Sequence, residues 1–216
     1  MCSVDFFDFI GDICYNYNMK IVKDLIMYQA TTRDYKVGDK LEFGKDRNYQ
    51  AERTFATNYK MKGAEHNMAE MFIDDKLKNK KKLKREEMKL ISTILWNYGF
   101  SMRELGYEIC RQLYYKEEPS RLTAMFLCEK AEEAKCYLTT AQQKGKETDP
   151  KVVGVKLNGK LLKTSNSFNM RGGKSIDEFI EQAQDYWKGV GDDFEDKKSI
   201  EYLFEGTAEI VEIIRY

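Results

Sequence analysis

The sequence predicts an α+β fold, on three observations. Residues 48–118 carry helical periodicity, and apolar strand-like runs dominate from residue 122 to the C-terminus. The turn-like pairs Asn158-Gly159 and Glu205-Gly206 join those runs as antiparallel neighbours would be joined. At 216 residues the chain suits one domain that buries about 70% of its unfolded surface.

Residues 1–24 read as an N-terminal appendage, because apolar pairs alternate there with Asp and Asn without a clean period; residues 25–216 read as a single domain. Residues 20–28 are a short strand or a helix-to-strand entry, followed by a turn over 31–34 and the Val37-Gly38-Asp39-Lys40-Leu41 stretch. Residues 64–73 form an amphipathic piece, and residues 83–95 place Leu83, Met88, Ile91, Ile94 and Leu95 near one face. A separate helix runs over about 101–115, where Ser101 and Glu104 match a capping box and Leu105, Ile109 and Leu113 follow at four-residue steps. Pro119 closes this region. Residues 122–127 read as a buried strand, and 129–139 as a helix with Ala131, Ala134 and Tyr137 on one face. Residues 152–157 and 160–163 are two strands around Asn158-Gly159, and Ser175-Ile176-Asp177-Glu178 caps a helix that runs through Trp187. Residues 201–204 and 208–214 form the last two strands, around Glu205-Gly206.

Lys+Arg and Asp+Glu both number 36, so no global field draws nucleic acid or an anionic membrane, and any such partner needs a local patch. The densest basic patch is the 76–85 run, with Lys78, Lys80, Lys81, Lys82 and Lys84; it reads as a solvated helix entry or as a phosphate-tracking surface. His66 is the single histidine, and the five cysteines include no C-x-x-C pair, so no metal site is expected. Cys110, Cys128 and Cys136 lie in apolar or amphipathic stretches and read as small buried hydrophobes. The first residues are acidic where a signal peptide needs basic ones, and no apolar run reaches membrane-spanning length; a cytoplasmic protein without membrane attachment is expected.

Glu201 is the residue whose position most needs a reason. A carboxylate at the lip of an apolar strand either faces solvent or is held for a purpose, such as accepting a hydrogen bond from a sugar hydroxyl or stabilising a developing cation. The Trp187 side chain at a helix end reads first as packing against a sheet, with ligand stacking as the alternative.

The stretches Ile200-Glu201-Tyr202-Leu203-Phe204 and Pro119-Ser120-Arg121-Leu122, with residues 129–137 between them, resemble an uncharacterised family of bacterial and phage proteins in the ADP-ribosyltransferase-like superfamily. The resemblance covers about residues 25–216. It implies a split antiparallel sheet with helices in the N-terminal half, and NAD as substrate. By the same resemblance, Glu201 is the catalytic carboxylate that binds the nicotinamide-ribose 2′-hydroxyl and favours an oxocarbenium-like transition state. Phe126 and Tyr137, eleven residues apart, would wall the nicotinamide, and Phe126, Ala134 and Tyr137 equally suit core packing. Tyr28-Gln29-Ala30-Thr31 is similar to the first-strand site, with Gln29 where the superfamily has histidine; a glutamine still donates and accepts hydrogen bonds to a ribose. Ser120 and Arg121 would contact phosphate, while Arg33 reads as a solvated turn residue.

These readings leave three functions open. The first is transfer of ADP-ribose from NAD to an unknown protein or nucleic-acid acceptor. The second is a catalytically silent NAD or ADP-ribose binding module. The third is a nucleic-acid or protein interaction through the basic run, on an inherited fold.

Overall fold

A computed structural model describes residues 19–48, 51–52, 78–79, 82, 84–138, 149–168, 175–191, 193–196 and 199–216. Within them lie β1 (Met19–Thr31), β2 (Lys40–Phe43), α1 (Arg85–Tyr114), β3 (Met125–Leu127), α2 (Ala131–Lys135), β4 (Lys151–Ser165), α3 (Ile176–Lys188) and β5 (Ile200–Ile214). The expected amphipathic piece at 64–73, His66, Cys2, Cys14, Lys80, Lys81 and Leu83 fall outside the described residues.

The fold is mixed α and β, with an antiparallel sheet of five strands in the order β1-β4-β5-β2 and β3 also paired to β5. β2 and β3 share one edge of β5: β3 pairs with residues 202–204 and β2 with residues 206–209. The sheet also curls back on itself. The Tyr28 N–H donates to the Cys128 carbonyl at 2.9 Å and the Cys128 N–H to the Tyr28 carbonyl at 2.8 Å. This ties β1 to the end of β3 and partly closes a barrel around Met27, Met125, Leu127, Val155, Phe204 and Ile210.

β1 begins at Met19, so residues 19–24, assigned by sequence to the appendage, already pair with β4. β4 and β5 are each one continuous strand of fifteen residues, not two strands joined by a turn. The pairs that imitate turns lie in mid-strand, where Gly159 faces Gly206. A Cβ on Gly159 would fall 2.2 Å from the Glu205 carbonyl oxygen, and one on Gly206 2.5 Å from that of Asn158. These glycines allow two backbones to approach closely. Asn158 also supports the neighbouring strand. Its Oδ1 accepts the Asp24 N–H at 3.2 Å, at the bulge where β1 slips register and Asp24 takes φ 55°.

The two helices expected over 83–95 and 101–115 are one, α1, thirty residues and about 45 Å long. Gly99 lies in its middle with open space around it, and Ser101 is internal, not a cap. A glycine in a helix interior costs about 1 kcal/mol. The packing of Tyr107 and Cys110 on Leu162, Ala183, Trp187 and Leu203 outweighs that cost. Glu86 and Glu87 in the first turn and Arg111 in the last match the helix dipole.

The cap on α3 forms as its sequence predicts. Ser175 Oγ accepts from the Glu178 N–H at 3.2 Å, and the Glu178 carboxylate accepts from the Ser175 N–H at 2.9 Å. The strand expected at 122–127 is confined to Met125–Leu127, because Ser120 starts a turn that accepts the N–H groups of Thr123 and Ala124. The helix expected at 129–139 is the five-residue α2; Ala134 is buried, and Tyr137 follows in a turn, 49% exposed.

Candidate functional site

β5 alternates its side chains across the sheet, sending Tyr202 and Phe204 into the barrel and Leu203 toward the helices. Glu201 shares the face of Leu203 and meets α1, α3 and the 118–124 corner there. Arg121 sits at the centre of the resulting cluster, with its side chain 3% exposed. Its Nε donates to Glu104 Oε2 at 2.8 Å and its Nη1 to Glu201 Oε1 at 2.6 Å. The Tyr186 hydroxyl accepts from Arg121 Nη1 and donates to Glu201 Oε1 at 2.5 Å. Arg121 Nη2 reaches Glu104 Oε1 at 3.3 Å, and Arg103 Nη2 approaches the same oxygen at 2.8 Å from the side nearer solvent.

Burial works against the Arg121 charge, but the Tyr186 oxygen and the carboxylates of Glu201 and Glu104 outweigh it and hold the guanidinium well above its usual range. Burial alone would push the Glu104 carboxyl up; the charges of Arg121 and Arg103 hold it below its usual value instead. Burial raises the Tyr186 phenol well above its usual range, and Glu201 adds to that effect against the pull of Arg121. Tyr186 is therefore a neutral donor at physiological pH. One guanidinium and two carboxylates leave the inner triad with a net single negative charge.

The hydrogen bonds from Arg121 and Tyr186 both reach Glu201 Oε1. Among the described residues Oε2 accepts none, and the side chain is 15% exposed. The carboxylate is thus oriented by two donors on one oxygen.

Several residues singled out from sequence lie against Arg121 or at the tie between β1 and β3. The Arg121 guanidinium lies over the Phe126 ring at 5.2 Å and over the Tyr186 ring at 4.8 Å. Gln29 donates from its amide to the Phe126 carbonyl at 3.4 Å. The Tyr137 phenol is raised by burial first, then by the Cys128 and Glu201 charges. Cys128 is pushed up to about 12 by burial, with Glu133, Cys136 and Glu201 contributing. Tyr28 packs with Ala134, Leu138 and Val152 at the tie between β1 and Cys128.

Other expectations change. Arg121 is buried and makes four hydrogen bonds within the cluster, which leaves one of its five N–H donors for any other partner. Ser120 is buried, and its hydroxyl donates to Glu108 Oε2 at 2.6 Å while accepting from the Leu122 N–H. Thr31 is buried at the end of β1 and accepts the Arg33 N–H at 3.1 Å. Ala134 is fully buried and belongs to the core, and so is Trp187, whose Nε1 donates to the Tyr107 carbonyl at 2.8 Å. Of the cysteines expected inside, Cys110 is buried and raised to about 11, Cys128 is half-buried, and Cys136 is exposed because α2 ends before it. Lys78, Lys82 and Lys84 are exposed.

Glu104 and Tyr186 are the site residues that sequence reasoning misses. Glu104 hides in an apparent capping box, and Tyr186 in a packing pair with Trp187. The available signal is the pair Glu104 and Glu108, four residues apart on the face that carries Tyr107. Two carboxylates on an apolar helix face require cations, and Arg121 and Arg111 supply them.

Another buried carboxyl lies at the corner after α1. Glu118 is 1% exposed, and among the described residues neither carboxyl oxygen has a hydrogen-bond partner. Burial raises it to about 7 against the opposing charges of Lys160 and Arg111. A shallow apolar hollow of about 490 Å³, lined by Met88, Ile91, Ser92, Leu95 and Trp96, lies on the N-terminal half of α1 and includes no residue of the Glu201 cluster. No helix among the described residues is long and apolar enough to cross a membrane.

No curated protein matches the sequence. Residues 27–216, from the middle of β1 to the C-terminus, match the family of proteins of unknown function designated DUF2441, and the chain belongs to that family.

Proposed function

We propose that the Glu201 cluster binds NAD and cleaves its nicotinamide glycosidic bond, passing ADP-ribose to an acceptor. The observation that carries this reading is the state of Glu201: Oε1 is fixed by Arg121 and Tyr186, Oε2 accepts no hydrogen bond among the described residues, and the side chain is 15% exposed. A preorganised carboxylate of this kind accepts the ribose 2′-hydroxyl and opposes the positive charge that develops at the anomeric carbon. The glycosidic electron pair leaves with nicotinamide, and an acceptor nucleophile forms the new bond to the anomeric carbon as its proton passes to solvent. A guanidinium beside a forming cation would oppose the reaction if it stood alone. Glu104 neutralises it, so Glu201 keeps its negative field.

Two further features support the reading. Phe126, under the Arg121 guanidinium on β3, and Tyr137, in the turn after α2, would serve as walls for a flat ring. The tie between Tyr28 and Cys128 brings β1, with Gln29, alongside the end of β3, with Phe126. In this reading Arg121 and Tyr186 position Glu201, and phosphate is met by groups other than Arg121.

A silent binding module is the second reading, favoured by Gln29, whose amide donor is directed to the Phe126 carbonyl. Calorimetric titration of NAD, with nicotinamide release followed in the same samples, tests both readings. Binding with release that is lost in Glu201→Gln is the expected result. Binding without release establishes the silent module, and no binding at millimolar NAD refutes both.

A further inference from the structure

We propose that Arg103 is the diphosphate anchor of the Glu201 site, the residue that meets the paired phosphates of the bound dinucleotide; the proposal rests on the NAD reading above. Arg103 stands four residues before Tyr107, so it lies on the face of α1 that carries Tyr107 and the buried cluster. Of the two arginines that share Glu104 it is the one nearer solvent: its side chain is 16% exposed, against 3% for Arg121.

The guanidinium is held ready and is only partly used. Nε donates to Glu104 Oε1 at 3.3 Å and Nη2 to the same oxygen at 2.8 Å, while the guanidinium carbon sits 4.3 Å from the centre of the Phe100 ring. Carboxylate and ring fix the orientation of the group between them. An arginine carries five N–H donors. Two of them meet Glu104, and among the described residues the other three, both of Nη1 and one of Nη2, meet no acceptor. That edge is the fork that two phosphate oxygens accept. Arg111, eight residues further along α1, has no such fork left, since Nε and Nη2 hold Glu108 and Nη1 donates to the carbonyls of Lys116 and Glu118.

Charge and reach agree. The triad of Arg121, Glu104 and Glu201 carries a net single negative charge, which on its own would repel a diphosphate; with Arg103 the four groups balance. Glu201, Arg121, Glu104 and Arg103 are joined in series by bonds of 2.6, 2.8 and 2.8 Å, which keeps the Arg103 guanidinium within roughly 13 Å of Glu201 Oε1. A nucleotide whose ribose touches Glu201 holds its diphosphate inside that span.

Calorimetric titration of NAD into the full chain and into Arg103→Gln, with nicotinamide release followed in the same samples, tests the proposal. The variant should bind NAD about ten- to hundredfold more weakly, the loss expected when a charge-assisted contact is removed. Release at saturating NAD should stay within about threefold of the wild type, because Arg103 meets phosphate and not the reacting carbon. A folded variant, judged by far-ultraviolet circular dichroism, that binds NAD as tightly as the wild type would overturn the proposal and leave the NAD reading standing. A variant whose release at saturating NAD falls along with its affinity would place Arg103 behind Glu201 and not on phosphate, and would likewise overturn it. A wild type that binds no NAD at millimolar concentration would overturn both. Should the glutamine variant fail to fold, Arg103→Lys decides, since it keeps the charge beside Glu104 and loses the fork. It should bind NAD about three- to tenfold more weakly, and an unchanged affinity would overturn the proposal.

Discussion

Glu118→Gln should abolish most of the pH dependence of stability between pH 5 and 8. The Glu118 carboxyl titrates near its ordinary 4.5 in the unfolded chain and at about 7 in the fold, where it is buried and neither oxygen has a hydrogen-bond partner among the described residues. Across that interval the folded protein holds a proton that the unfolded chain has released, so stability falls as pH rises. At about 1.4 kcal/mol per tenfold change in affinity, the full gap corresponds to about 3 kcal/mol, and the part lost between pH 5 and pH 8 to about 2.5 kcal/mol. With one histidine in the chain, few other side chains titrate in this window. Urea unfolding followed by circular dichroism reads the effect directly. At a typical slope of about 2 kcal/mol per molar urea, the wild-type midpoint should drop by about 1 M from pH 5 to pH 8. The glutamine, a neutral isostere of the protonated acid, should hold its midpoint nearly level and exceed the wild type at pH 8. A variant that keeps the wild-type drop would refute the assignment of that proton to Glu118.

Glu104→Gln should destabilise the protein by about 3 kcal/mol, read from the same unfolding curves, because it leaves the buried Arg121 with one carboxylate in place of two. Gly159→Ala should cost at least as much, since its Cβ would stand 2.2 Å from the Glu205 backbone oxygen; a folded variant with an unchanged midpoint would contradict the close approach of β4 and β5. Glu201→Gln should retain NAD binding within about tenfold while lowering nicotinamide release by about a hundredfold or more, as expected for a group that acts on developing charge.

The strands show how far local sequence carries. The β-branched and aromatic runs of β4 and β5 declare extended chain, and extended chain is what they form. Asn158-Gly159 reads as a turn because that pair closes hairpins, and a run interrupted by glycine looks like two runs. Gly159 faces Gly206, forty-seven positions along the chain. No local window contains both partners, so their shared purpose emerges only when the strands lie side by side. α1 poses the opposite problem: Gly99 and the Ser101-Glu104 pattern mimic a helix end and a new cap, and the helix runs through both because its C-terminal half is held by tertiary packing.

By itself, the sequence determined the strand-forming runs, the capped helix α3 and the unusual place of a carboxylate, Glu201, at the lip of an apolar strand. These follow from periodicity, local capping bonds and the cost of placing charge in an apolar strand, all of which act within a few residues. Only the tertiary structure decided which partners that carboxylate has. Arg121 lies eighty positions from Glu201 and seventeen from Glu104, and Tyr186 comes from a third element. Electrostatic pairing inside a protein depends on distance in space and on the loss of water between charges. Both arise only when α1, α3 and β5 close over the guanidinium.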